Sequence, residues 1–108
     1  MNPLTWLKGI FSSRQKSLGI YRSAMAKSKK KDYAGAIEDY DVVAAAKDVP
    51  DDVRAMAVYN RSLAYDALGK HAEAAKDLDK MLSMPHVPER VKNEATLRRE
   101  RLRKRGER

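Results

Sequence analysis

The sequence predicts an all-α protein built from antiparallel helix hairpins, and two observations carry this prediction. The first is that the chain of 108 residues aligns with itself without a gap when it is shifted by 38 residues. The second is that apolar residues recur three or four positions apart, as at Val53, Met56, Ala57 and Leu63, while the alternation typical of strands is absent. A period of this length accommodates two helices and their turns.

The repeat divides the chain into two units and a half unit. Residues 21–26 align with 59–64 and residues 32–37 align with 70–75. The shift also places 48–51 on 86–89. We therefore expect a segment at 1–13, a repeat domain at 14–105 and a tail at 106–108, with the repeat domain divided into units 14–47 and 48–85 and a terminal helix 88–105.

Helix signals place five main helices within these units. Pro50 followed by two aspartates predicts a helix start, since proline loses no hydrogen bond in the first turn and carboxylates favour the positive end of the helix dipole. Gly69, directly after Leu68, predicts a left-handed helix cap. The expected helices are 14–30, 33–47, 50–68, 71–84 and 88–104, with a short additional helix near 2–11.

Composition excludes several classes of function. Without cysteine there is neither a disulfide framework nor a thiolate zinc site, and His71 and His86 are too few for a His-rich metal centre. We see no glycine-rich phosphate loop and no pairing of a nucleophile with a base. The sequence therefore predicts a protein without catalysis, cofactor or metal.

Charge is distributed unevenly along the chain. Residues 1–31 hold eight Lys or Arg and no acid, residues 32–85 hold six basic and eleven acidic residues, and residues 86–108 hold nine basic and four acidic residues. Two basic ends thus flank an acidic middle. This distribution suits an anionic partner at the ends, or the end of one molecule meeting the middle of another, and it also suits solvated helix faces.

The repeated unit resembles the tetratricopeptide repeat. The resemblance is carried by residues 60–65 and 68–78 of the second unit and by 31–40 of the first. Small residues occupy the slots where paired helices cross, and they are Ala24, Ala36, Ser62 and Ala74. Close approach of two helix axes requires small side chains there. The period departs from the family's usual 34 residues, and Lys27 stands where the second unit has Tyr65.

The resemblance implies a right-handed superhelix with a concave groove lined by the first helix of each unit. In this family such a groove binds a peptide or helix of another protein, so the resemblance implies a scaffold or adaptor whose partner carries apolar and acidic groups. The groove positions in this sequence are Tyr21, Arg22, Met25, Met56, Tyr59, Asn60, Leu63, Leu97, Arg98 and Arg101. Packing in the core is the alternative role of the Tyr and Met residues.

The N-terminal segment has three alternative roles. Its apolar residues, spaced to share one side of a short helix, are Leu4, Trp6, Leu7, Ile10 and Phe11. With Lys8 and Arg14 nearby, they suit a helix lying on an anionic membrane surface. They also suit a helix capping the first repeat, because a short array leaves an open end, or a contact between copies in a homo-oligomer.

The C-terminal helix is strongly basic. It holds Arg98, Arg99, Arg101, Arg103, Lys104 and Arg105. Phosphate binding is one interpretation and a polar capping helix is the other. No aromatic residues interleave to stack on bases, which argues against nucleic acid as the partner. We expect a cytoplasmic protein that can associate with a membrane at its surface.

Overall fold

The computed structural model describes the backbone of residues 3–106 and the side chains of residues 14–106. It contains five α-helices, and no strand occurs in the described part of the chain. The all-α prediction is confirmed. The helices are α1 (Pro3–Lys29), α2 (Tyr33–Ala45), α3 (Asp51–Ala67), α4 (His71–Leu82) and α5 (Glu89–Gly106).

Each helix packs mainly on the next helix in the chain, from α1 on α2 through to α4 on α5. Short connections join the helices of each hairpin, which makes consecutive helices antiparallel neighbours. The result is a single elongated row with extents of 60 × 29 × 18 Å. A row of this kind leaves one side of every helix without a further layer over it.

The N-terminal segment does not form a separate helix. Residues 3–13 continue into the helix expected from residue 14, so α1 has 27 residues and is about 40 Å long, against about 20 Å for the 13 residues of α2. Neither Ser12 nor Ser13 stops a helix, and a folded-back cap would need a turn that this stretch does not provide. The side chains of Leu4, Trp6, Leu7, Ile10 and Phe11 lie outside the described residues.

The turn that closes each hairpin has the same geometry in both units. The backbone N–H of Asp32 donates to Lys27 O at 2.8 Å, and that of Lys70 donates to Tyr65 O at 2.8 Å. The residue before each donor is left-handed, with φ of 65° at Lys31 and 78° at Gly69. These two turns are related by the 38-residue shift, and the predicted cap at Gly69 is confirmed.

Two clusters of buried side chains form the core. The larger surrounds Leu78, Met81 and Val58 between α3, α4 and α5, and the smaller surrounds Tyr40 and Val43 between α1, α2 and α3. The small residues predicted at the helix crossings are all buried, namely Ala24, Ala36, Ser62 and Ala74. Their size allows the paired helices to approach closely.

Candidate docking face

Side chains of α1, α3 and α5 meet on one side of the row. Asn60 Nδ2 donates to Tyr21 Oη at 3.0 Å, and Arg98 Nε donates to Tyr59 Oη at 3.2 Å. Both contacts join residues 39 positions apart, so the second is the first translated by one repeat. We call the side formed by the groove residues of these three helices the first-helix face.

The first-helix face exposes apolar side chains at both of its ends. Met25 on α1 is 40% exposed and Leu97 on α5 is 59% exposed. Between them the side chains of Met56, Asn60 and Leu63 on α3 are partly buried, as is Tyr21 on α1. The face thus has a half-buried middle and two open apolar positions.

Tyr59, one of the expected groove residues, has the alternative role of a core residue. It is only 5% exposed and belongs to the larger core cluster. The reason is that α5 covers it, with Glu94 and Arg98 both contacting its hydroxyl. Tyr59 therefore stabilises the joint between α3 and α5 and offers little surface to a partner.

The Tyr59 hydroxyl holds two charged side chains of α5 in place. It donates to Glu94 Oε2 at 3.1 Å and accepts from Arg98 Nε. Burial raises the pKa of Tyr59, and the hydrogen bond from Arg98 partly opposes this effect. The tyrosine is therefore neutral at neutral pH, and it fixes the position of Arg98 beside the open Leu97.

Acids on this side of the row are already engaged, whereas two arginines are not. Asp66 accepts from His71 Nδ1 at 2.7 Å and from Arg105 Nη1 at 3.3 Å. Arg22 and Arg101 are exposed and form no ion pair among the described residues. The charge available to a partner on the first-helix face is therefore positive.

Two cavities open on or beside this face. One, of about 280 Å³, is lined by Glu94, Leu97, Arg98 and Arg101, all on α5. The other, of about 270 Å³, lies between the C-terminal end of α1, helix α2 and helix α3. Its walls are mostly apolar and comprise Ser28, Tyr33, Tyr40, Asn60, Leu63, Ala64 and Ala67.

Sequence reasoning missed part of the second cavity. Tyr33 and Tyr40 lie on α2, and a groove defined by first helices alone leaves them out. Ala67, on α3, was missed because it is small. The available signal was that Ala67 aligns with Lys29 at the end of α1. Where one copy of a repeated position has a small side chain and the other a long one, the copy with the small side chain leaves space.

The exposed side chains of the face are mainly apolar groups and guanidinium groups. Within the described residues, no group of three or more His, Asp or Glu is placed to hold a metal ion. Apolar side chains supply contact area and guanidinium groups orient carboxylates, and both act without bond breaking.

No protein-family model, curated protein or solved structure matches the chain. In the part of the chain that the structure describes, no helix has the length and apolar character needed to span a bilayer.

Proposed function

We propose that this protein is a non-catalytic scaffold that docks a peptide or helix of a partner protein on the first-helix face. The observation that carries the proposal is the pairing of open apolar side chains, Met25 and Leu97, with two arginines, Arg22 and Arg101, that have no acidic partner among the described residues. A partner segment with apolar side chains and carboxylates complements that surface.

The proposal includes a tetratricopeptide-like arrangement with a right-handed superhelix. Its support is the repeated contact between first helices, at Tyr21 with Asn60 and at Tyr59 with Arg98, together with the repeated hairpin turn. In such an array α1, α3 and α5 would form the inner wall. Because helices carry the contact residues, the surface is formed before the partner arrives, which reduces the entropy lost on binding.

The test compares two pairs of exposed apolar residues. In M25A/L97A both open positions of the first-helix face are truncated. In V42A/L68A two side chains of similar exposure, at 50% and 43%, that are not among the groove residues are truncated. Partners captured by the wild-type chain are identified by mass spectrometry, and their affinity for both variants is measured.

We expect M25A/L97A to weaken partner binding about tenfold or more, since loss of an apolar contact at an interface costs about 1 kcal/mol or more for each residue. V42A/L68A should bind as the wild type does. Equal losses in the two variants, or no loss in either, would contradict the proposal. Circular dichroism of both variants shows whether the fold is retained.

A charge variant tests the second half of the proposal. In R22Q/R101Q the arginines without acidic partners become neutral, and binding should weaken and lose much of its dependence on salt.

Self-association is the outcome that would contradict a partner protein. If the wild-type chain forms oligomers and M25A/L97A abolishes them, the occupant of the face is a second copy, and the partner part of the proposal is wrong.

A further inference from the structure

Helix α1 presents an edge of the row on which every charged side chain is a cation. It contains no acidic residue from Pro3 to Lys29, and its only cation in an ion pair among the described residues is Lys27, whose Nζ lies 2.9 Å from Asp39 Oδ2. Six further cations of α1 and of the turn after it are exposed: Arg14, Lys16, Arg22, Lys29, Lys30 and Lys31. None of the six forms an ion pair within the described residues. We call this side of the molecule the cationic edge.

Comparison of α1 with its counterpart α3 shows that the side chains of the cationic edge are not suited to packing against another helix. In α3, Val53 and Ala57 pack into the smaller core cluster against α2. The 38-residue shift places Gln15 and Gly19 at these positions of α1, where both residues are exposed. A Cβ atom added at Gly19 would meet nothing within 4 Å. The edge is thus small, polar and uncovered where its counterpart is apolar and packed.

The charge of the rest of the repeat array gives the molecule an orientation. Residues 32–85 carry eleven acidic and six basic residues, whereas residues 1–31 carry eight basic residues and no acidic one. Residues 86–108, at the other end of the row, carry nine basic and four acidic residues. Close to an anionic surface, α1 is attracted more strongly than α5, because residues 1–31 have a net charge of +8 against +5 for residues 86–108, and repulsion of α2, α3 and α4 helps to turn the α1 edge towards it. A helix about 40 Å long also offers an extended line of contact to a flat surface.

The described part of the edge is better suited to lipid headgroups than to nucleic acid. Its one aromatic residue, Tyr21, accepts a hydrogen bond from Asn60 and contacts the Tyr40 ring edge-on, with 6.0 Å between ring centroids. It is therefore engaged within the protein and not available to stack on a base. Lysines and arginines spread along the exposed side of one helix suit a surface of anionic headgroups, because they can contact headgroups without entering a groove.

We propose that the cationic edge binds the surface of an anionic lipid bilayer, with α1 lying against the headgroups and α2 to α4 directed away from them. This surface differs from the first-helix face in its partner, although Arg22 belongs to both. Each basic residue near an anionic leaflet strengthens partitioning about fivefold. Several together bind the domain without any membrane-spanning helix.

The experiment measures co-sedimentation of the full chain with phosphatidylcholine vesicles that contain about 30% phosphatidylserine, at about 50 mM and about 500 mM NaCl. The test variant is K16Q/K30Q, which removes two charges from the cationic edge. The control is K76Q/K80Q, which makes the same change in net charge on α4, where both lysines are also exposed. Circular dichroism is recorded for all proteins.

We expect binding at the lower salt concentration and its loss at the higher one, with K16Q/K30Q partitioning about 25-fold more weakly and K76Q/K80Q close to the wild type. Absence of sedimentation with these vesicles at about 50 mM NaCl would overturn the proposal. Equal weakening by both variants would also overturn it, because the effect would then come from net charge. Tight binding of a single-stranded RNA by a chain that does not bind the vesicles would overturn it as well.

Discussion

The two hairpins share one backbone plan but differ in how a polar contact joins their helices. In the hairpin of α1 and α2, Ser23 Oγ donates to Asp39 Oδ2 at 2.9 Å near the surface. In the hairpin of α3 and α4, the same two positions hold Arg61 and Asp77. The two hairpins thus place a polar contact at equivalent positions, but the contact in the first is a single hydrogen bond and the contact in the second is an ion pair.

The contact in the second hairpin is a buried, bidentate ion pair. Arg61 Nε and Nη2 donate to Asp77 at 2.8 and 2.7 Å, and Asp77 is 6% exposed. Arg61 Nη1 also reaches Asp41 on α2 at 2.8 Å. The Asp77 carboxylate raises the pKa of the Arg61 guanidinium above its usual range. One arginine therefore links three helices, whereas Ser23 links two.

The largest effect we expect follows from this difference. D77A should lower the free energy of unfolding by about 3 kcal/mol, because it leaves a largely buried guanidinium without its main partner. D39A, at the equivalent position, should cost about 0.5–1 kcal/mol, since its partners Ser23 and Lys27 can turn to water. Urea unfolding of the two variants measures both values. Equal losses would show that the hairpins are held together equally.

The sequence was sufficient to predict the repeat, the five helices and the cap at Gly69, because periodicity and turn residues act over short distances. For Tyr59 the sequence left both a groove role and a core role open, since its burial depends on where α5 lies, and helical spacing alone does not distinguish a core residue from a surface one. The partners of Arg61 could not be predicted for the same reason, because the sequence contains Asp41 and Asp77 but does not show that Arg61 contacts them.

The hairpin turn provides a second comparison between the units. G69A should lower stability by about 1–2 kcal/mol, because alanine is strained at a φ of 78°. The loss would come from the backbone conformation alone, since a Cβ atom added at Gly69 would meet nothing within 4 Å. K31G should raise stability by about 0.5 kcal/mol, as glycine relieves the strain at a φ of 65° but gains freedom in the unfolded chain. Thermal unfolding tests both, and a loss of stability in K31G would mean that the first turn is not strained.

The smallest effect concerns pH. Tyr40, whose counterpart in the second unit is Leu78, is buried, and burial raises its pKa above the ordinary value of 10.0. Because the folded state then holds a proton that the unfolded state releases, the contribution of Tyr40 is complete below about pH 10 and declines as pH rises further. Y40F should unfold with a smaller loss of stability between about pH 9 and 11 than the wild type. Identical alkaline profiles would show that this hydroxyl does not contribute.

If residues 48–85 form a module equivalent to the one before it, that module should stack on a copy of itself. We would measure urea unfolding of a chain in which residues 48–85 occur twice in tandem before α5. Stacked modules add their own stability and that of one more interface, so we expect a cooperative transition with a higher midpoint than the wild type. A lower midpoint, or loss of a single cooperative transition, would contradict it.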